Sequence, residues 1–135
     1  ARLGGHVSDI SHAIESYVTS QPHPSGGSFG ILRDYTGHGI GTEMHQPPNV
    51  PNFGKPGKGP KLRRGLALAV EPMITLGSRD TVVAEDEWTV ITADGSMSAH
   101  FEHTFTLTPQ GPWILTALDG GEERLAAMGV PFGGR

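Results

Sequence analysis

The sequence contains no cysteine, which excludes disulfides, thiolate catalysis and cysteine-ligated zinc. Charged residues make up only 18% of the chain, too few for a charge-rich disordered tail. Ten basic residues face fourteen acidic ones, and the net charge of −4 lacks the basic stripe that a duplex binder carries. A specific nucleic-acid partner is therefore not expected. No run approaches the roughly 18 consecutive apolar residues of a spanning helix, so no membrane partner is expected either. Residues 1–10 show no charged-then-apolar leader pattern, and position 1 is Ala rather than Met. No internal repeat is present.

Glycine and proline are abundant. Twenty Gly and eleven Pro in 135 residues come to about 23%, just under the roughly 25–30% that marks low complexity. With 36% hydrophobic residues, the composition fits one ordered domain with long loops. Helical spacing of Val7, Ile10, Ala13, Ile14, Tyr17 and Val18 predicts a helix from about Val7 to Ser20, capped by Ser8 or Asp9 and ended by Pro22. Phe29–Leu32 reads as a short strand. Thr36–Pro60 holds six Gly and five Pro, and its Gln46–Pro60 part is expected to be an irregular loop covering or bordering a site. Beyond Gly65 the pattern turns β-like: Leu66–Ile74 interrupted at Pro72, Thr81–Val83, Trp88–Thr92, Ala99–Thr108 and Trp113–Thr116. Glu122–Met128 reads as one or two helical turns, and Gly129–Arg135 as a loose tail.

Four features carry chemistry, each with a plainer account beside it. His38 lies between glycines in Gly37-His38-Gly39-Ile40-Gly41, which is either an exposed functional backbone or a glycine-rich turn with an incidental His. His45 precedes Gln46-Pro47-Pro48 and reads alone as a loop residue. Glu71 ends an apolar run, where a carboxylate is costly unless paired or metal-bound; an edge strand with Glu71 in solvent is the alternative. Strand parity puts Ala67 and Ala69 on its face, leaving room in front of it. Glu102 shares a polar face with His100, Thr104 and Thr106, as any half-exposed strand residue could. His38, Glu71 and Glu102 together form a nitrogen-and-oxygen set suited to Mn, Fe, Co or Zn.

These segments occur in a telling order. Tyr35-Thr36-Gly37-His38-Gly39-Ile40-Gly41, His45-Gln46-Pro47-Pro48-Asn49-Val50, Val70-Glu71-Pro72-Met73, Trp88-Thr89-Val90 and Ala99-His100-Phe101-Glu102-His103-Thr104 resemble the C-terminal half of type I methionine aminopeptidases. The resemblance runs from Val7 to Thr116. It implies an α+β fold: half of the pita-bread architecture, a curved, mostly antiparallel sheet with outer helices, over residues 1–135. It further implies His38, Glu71 and Glu102 as metal ligands, Glu71 also as proton shuttle, and His45 as the residue that bonds substrate and developing charge. Thr36, Met44 (where the family commonly has Phe) and Trp88 match positions around the methionine side-chain pocket.

The implied activity is metal-dependent removal of the N-terminal methionine from nascent proteins and peptides in the cytoplasm, with two divalent ions (Co, Mn, Fe or Zn). Implied partners are peptide or nascent-chain N-termini, the ribosome, and a separately supplied N-terminal half. The family's two aspartate ligands and a second catalytic His lie before the helix that Val7-Ser8-Asp9-Ile10 resembles. This chain alone is therefore expected to show little or no activity and to be sticky or self-associated. The alternatives are a catalytically silent relative that binds peptides, or a β-rich structural domain with incidental His and Glu.

Overall fold

The structure, a computed structural model, describes residues 1–134. Helix α1 spans Val7–Ser20 as its spacing predicts, and the chain leaves it at Gln21, before Pro22. Its cap lies two residues before Ser8, the nearer of the two expected caps. His6 is the N-cap, and Asp9 acts from inside the first turn by accepting the His6 backbone N–H at 2.7 Å. Among the described residues ten short strands follow: β1 Gly30–Ile31, β2 Gly37–Gly39, β3 Gln46–Val50, β4 Ala67–Val70, β5 Met73–Thr75, β6 Thr81–Val83, β7 Val90–Thr92, β8 Ser98–His100, β9 His103–Thr108 and β10 Gly111–Ile114; helix α2, Glu122–Ala127, comes last.

Every strand pairing is antiparallel. One sheet has the order β10-β9-β4-β2-β3, a second β1-β5-β8, and β6-β7 forms a separate hairpin. Leu68 opposes Phe105 across the β4–β9 pair, and both face α1. Val7 and Ile10 of α1 close on Leu68, Phe105, Leu107, Val50 and Leu62 to make the core. The alternate parity, Ala69 with His38 on one side and Thr104 on the other, projects from the opposite face. One face of the sheet is thus core, and the other is available for chemistry.

Four expectations are corrected. Gln46–Val50 is a strand, which Pro47 and Pro48 permit because β3 lies at the sheet edge and needs no second partner. Beyond it, the chain borders the site at Asn52, whose Nδ2 donates to the Glu71 carbonyl at 3.4 Å, and does not cover it. Residues 51–62 run along α1: Gly57 N–H donates to Asp9 Oδ1 at 2.7 Å, Lys58 N–H to Ser8 Oγ at 2.7 Å, Gly54 N–H to Glu15 Oε2 at 3.0 Å. Ala99–Thr108 is two strands with a break at Phe101–Glu102. The tail is anchored rather than loose through Gly134: Gly133 N–H donates to the Pro112 carbonyl at 2.9 Å, and Thr108 Oγ1 donates to the Gly133 carbonyl at 3.0 Å. Arg135 lies outside the described residues.

Asp9 ties the start of α1 to the following loop, and the two N–H donors, His6 first and Gly57 second, hold its carboxyl below the ordinary range. A carboxylate depressed on folding stabilises above its unfolded pKa, and that contribution is lost as pH falls through the folded value. Asp9→Ala is expected to lower the thermal midpoint at pH 7. The gap to the parent should begin to shrink below about pH 4, where the unfolded carboxylate protonates, and close as pH falls through the lower folded value. Melts at pH 7 and pH 3 check this; an equal gap at both would contradict it.

Candidate metal centre

The centre arises where one long ribbon is interrupted. Val70 pairs with His103 on one side of the break and Met73 with His100 on the other. Counting inward from either side sets Glu71 opposite Glu102 and Pro72 opposite Phe101, so the register carries through. Pro72 has no N–H to give the ladder, and the pairing lapses there. The Phe101 N–H still donates to the Pro72 carbonyl at 3.2 Å. Asn52, fully buried, donates from Nδ2 to the Glu71 carbonyl at 3.4 Å. Two carboxylates directly opposite in one ribbon repel each other unless a cation is shared.

Imidazoles flank this pair. His38, on β2, pairs with Ala69, whose small side chain lets the ring reach the Glu two residues on. His38 Nε2 lies 3.1 Å from Glu71 Oε1, and both side chains are largely buried. His38 Nδ1 is 2.9 Å from the Gly39 carbonyl. A carbonyl only accepts, so Nδ1 carries the hydrogen there, and Nε2 is left facing a carboxylate that, when ionised, only accepts. That contact needs a proton or a metal ion between its atoms. A backbone carbonyl behind the ring is also the usual way a ligating His is oriented. His100 Nε2 approaches the other Glu71 oxygen, Oε2, at 3.2 Å. Among the described residues, Glu71, His100 and Glu102 place one donor atom each within 4.8 Å of one another. Adjacent ligands bound at about 2.0–2.2 Å to one ion lie about 2.8–3.6 Å apart. The two imidazole–carboxylate spacings fall in that window, so the residues fit a divalent ion.

Of the expected His38, Glu71 and Glu102, Glu71 meets His38 at 3.1 Å and shares a compact donor group with Glu102, but the imidazole in that group is His100 rather than His38. His45 stacks edge-on against His38, with ring centroids 4.3 Å apart. His100 was not singled out as a ligand from the sequence, although its shared parity with Glu102 was the available signal. His103 turns away, its Nδ1 lying 2.8 Å from Thr116 Oγ1.

A cavity of about 400 Å³ opens beside the imidazoles. Thr36, His38, His45, Glu71 and His100 supply its polar wall, and Leu32, Met73, Val90, Ile91 and Ala99 its apolar one. Met44 and Trp88, expected at the pocket, are 70% and 87% exposed and do not line this cavity. Trp88 falls in the β6–β7 turn rather than in a strand, its N–H donating to Asp86 Oδ1 at 3.0 Å. No helix among the described residues is long and apolar enough to cross a membrane.

Comparison with known proteins agrees with this architecture. The sequence profile of Metallopeptidase family M24 matches residues 1–109. Methionine aminopeptidase 1 of Mycobacterium tuberculosis (strain CDC 1551 / Oshkosh) is 53% identical over 114 residues, covering 84% of this chain and 43% of the relative. The methionine aminopeptidase of Clostridium acetobutylicum is 48% identical over 116 residues, covering 86% and 44%. The crystal structure of methionine aminopeptidase from Thermotoga maritima superposes with a TM-score of 0.79 at 46% identity, covering 86% of this chain and 44% of that one. The chain thus spans less than half the length of these relatives, and its α+β architecture is that of a partial pita-bread fold. A profile match across most of the chain, joined to a sheet that superposes on a solved member, places the protein in metallopeptidase family M24.

Proposed function

We propose that this chain serves, as the C-terminal portion of a complete catalytic domain, in the metal-dependent removal of N-terminal methionine from nascent proteins and peptides in the cytoplasm. The observation that carries the reading is the facing pair Glu71 and Glu102, with His38 Nε2 3.1 Å from the Glu71 carboxylate. His38, Glu71 and Glu102 would hold divalent ions, two in the complete enzyme, from among Co, Mn, Fe and Zn. When bound, such ions polarise the peptide carbonyl and make water nucleophilic near neutral pH. This chain's own residues do the rest. A Glu71 carboxylate oxygen takes the proton from the attacking water and passes it to the leaving amino nitrogen. A ring N–H of His45, held against His38, donates to the carbonyl oxygen as negative charge develops there. Thr36 borders the pocket, and Leu32, Met73, Val90 and Ile91 offer the apolar wall for an unbranched thioether side chain. Met44 and Trp88, both exposed, would meet the substrate from outside this cavity.

Because the chain spans 43–44% of the relatives' length, the test is complementation. Free methionine is measured from a Met-Ala-Ser peptide with added Mn, Co or Fe. The chain is assayed alone and with the remainder of the Mycobacterium tuberculosis relative supplied in trans. Metal-dependent release from the mixture, and little or none from the chain alone, is expected. Peptide binding without release from a metal-loaded mixture would favour the catalytically silent reading instead.

A further inference from the structure

We propose that His100 is a direct ligand of the divalent cation. It would complete, with Glu71 and Glu102, a one-imidazole, two-carboxylate site that this chain supplies by itself. The inference rests on the metal-dependent reading above and adds to it a residue that the resemblance does not assign. Three observations support it. First, the compact three-donor group contains His100, all three donor atoms lying within 4.8 Å of one another. Second, the two imidazoles divide the Glu71 carboxylate between them, His38 on Oε1 at 3.1 Å and His100 on Oε2 at 3.2 Å. The second spacing, like the first, is that of neighbouring ligands on one ion. Third, the charge balances: a neutral imidazole and two carboxylates neutralise one divalent cation and relieve the repulsion that the ribbon's register imposes on Glu71 and Glu102.

The backbone explains why His100 can do this. It pairs with Met73 at the first rung beyond the break and stands two residues before Glu102, so both side chains leave the ribbon on Glu71's side. Its ring is half-exposed, which leaves it room to close on an ion and makes it replaceable without a cavity in the core.

The test uses the full chain with Co(II) alone as probe. Affinity is read by calorimetry, the coordination sphere by absorption spectroscopy, and folding by circular dichroism. His100→Ala should weaken Co(II) binding by at least about tenfold, no less than is lost when a merely supporting residue is removed from a metal site. His100→Cys should add a thiolate-to-cobalt charge-transfer band in the near ultraviolet. That band can have no other source, since the chain contains no cysteine. If His100→Ala binds within about twofold of the parent and His100→Cys shows no band, while Glu71→Gln loses binding, the metal reading stands and His100 is not a ligand. If the parent chain takes up no Co(II), the site supplied by this chain alone is refuted, while the metal-dependent reading of the complete enzyme is decided by the complementation assay.

Discussion

Replacing Glu71 with Gln is expected to reduce divalent-ion affinity by at least about a hundredfold while leaving the metal-free fold as stable as the parent or slightly more so. The side chain touches both imidazoles, at 3.1 and 3.2 Å, and stands opposite Glu102. Removing a group that only supports a ligand costs about 10–100-fold, and Glu71 would be a ligand itself, so the top of that range is a floor. The amide keeps the shape and loses the charge. In the absence of metal this relieves a like-charge pair across the ribbon, an effect of roughly 0.2–1 kcal/mol in favour of the variant. The two effects have opposite signs, which makes the result diagnostic. With the ion at about 100 times its dissociation constant, the parent gains about 2.7 kcal/mol from binding, and the variant should gain almost nothing. Thermal melts with EDTA and with Mn(II), together with calorimetric titration, measure both quantities. A variant that loses stability in EDTA and keeps its Mn(II)-induced shift would refute the assignment of Glu71 to the metal centre.

Gly37→Ala is expected to disrupt the same centre without touching any of its side chains. Gly37 begins β2 and pairs with Val50 of β3. A Cβ built there runs into the Ala69 carbonyl oxygen of β4, backbone against backbone, with Val50 Cβ at 3.2 Å on the other side. Nothing flexible can give way, so β2 must move off β4, and His38 moves with it. Overpacking of this kind costs about 1–3 kcal/mol and more where backbone is involved. Against a total of about 5–15 kcal/mol for a domain, that is a large fraction. Gly39 is bounded in the same way by the Pro47 and Gln46 carbonyls, so Gly39→Ala should behave alike. Urea denaturation and Mn(II) titration of the two variants check the effect. A variant with parent-like stability and affinity would show that the approach of β2 to β4 is looser than the structure has it. The glycines around His38 thus have a definite purpose. They let two strands close on the His from either side.

Much of the fold was legible locally. The Val7–Ser20 helix announced itself through apolar residues three and four apart, and the strands through alternation, because both patterns are relations between near neighbours in sequence. Pro72 was legible as a break, and Glu71 beside it as a carboxylate needing a partner. Less legible was the consequence of that break, since the break at Phe101–Glu102 answers it from about thirty residues away. Pairing two prolines in β3 was discounted because sequence alone does not show that the strand would lie at a sheet edge. The segment 51–62 reads as a site loop by composition, yet its N–H groups are spent on Ser8, Asp9 and Glu15 of α1.

The sequence by itself therefore determined the helix, most of the strand positions, the nitrogen-and-oxygen donor types, the absence of thiol chemistry, and the resemblance that the comparisons bear out. Only the tertiary structure decided that Glu71 faces Glu102 in one continuous register, that His38 and His100 take opposite oxygens of a single carboxylate, and that His103 does not join them. The reason is physical. Periodicity fixes which way a side chain leaves its own strand, whereas the partner it meets is set by cross-strand register, a long-range choice settled by burying Leu68, Phe105 and Val50 beneath α1.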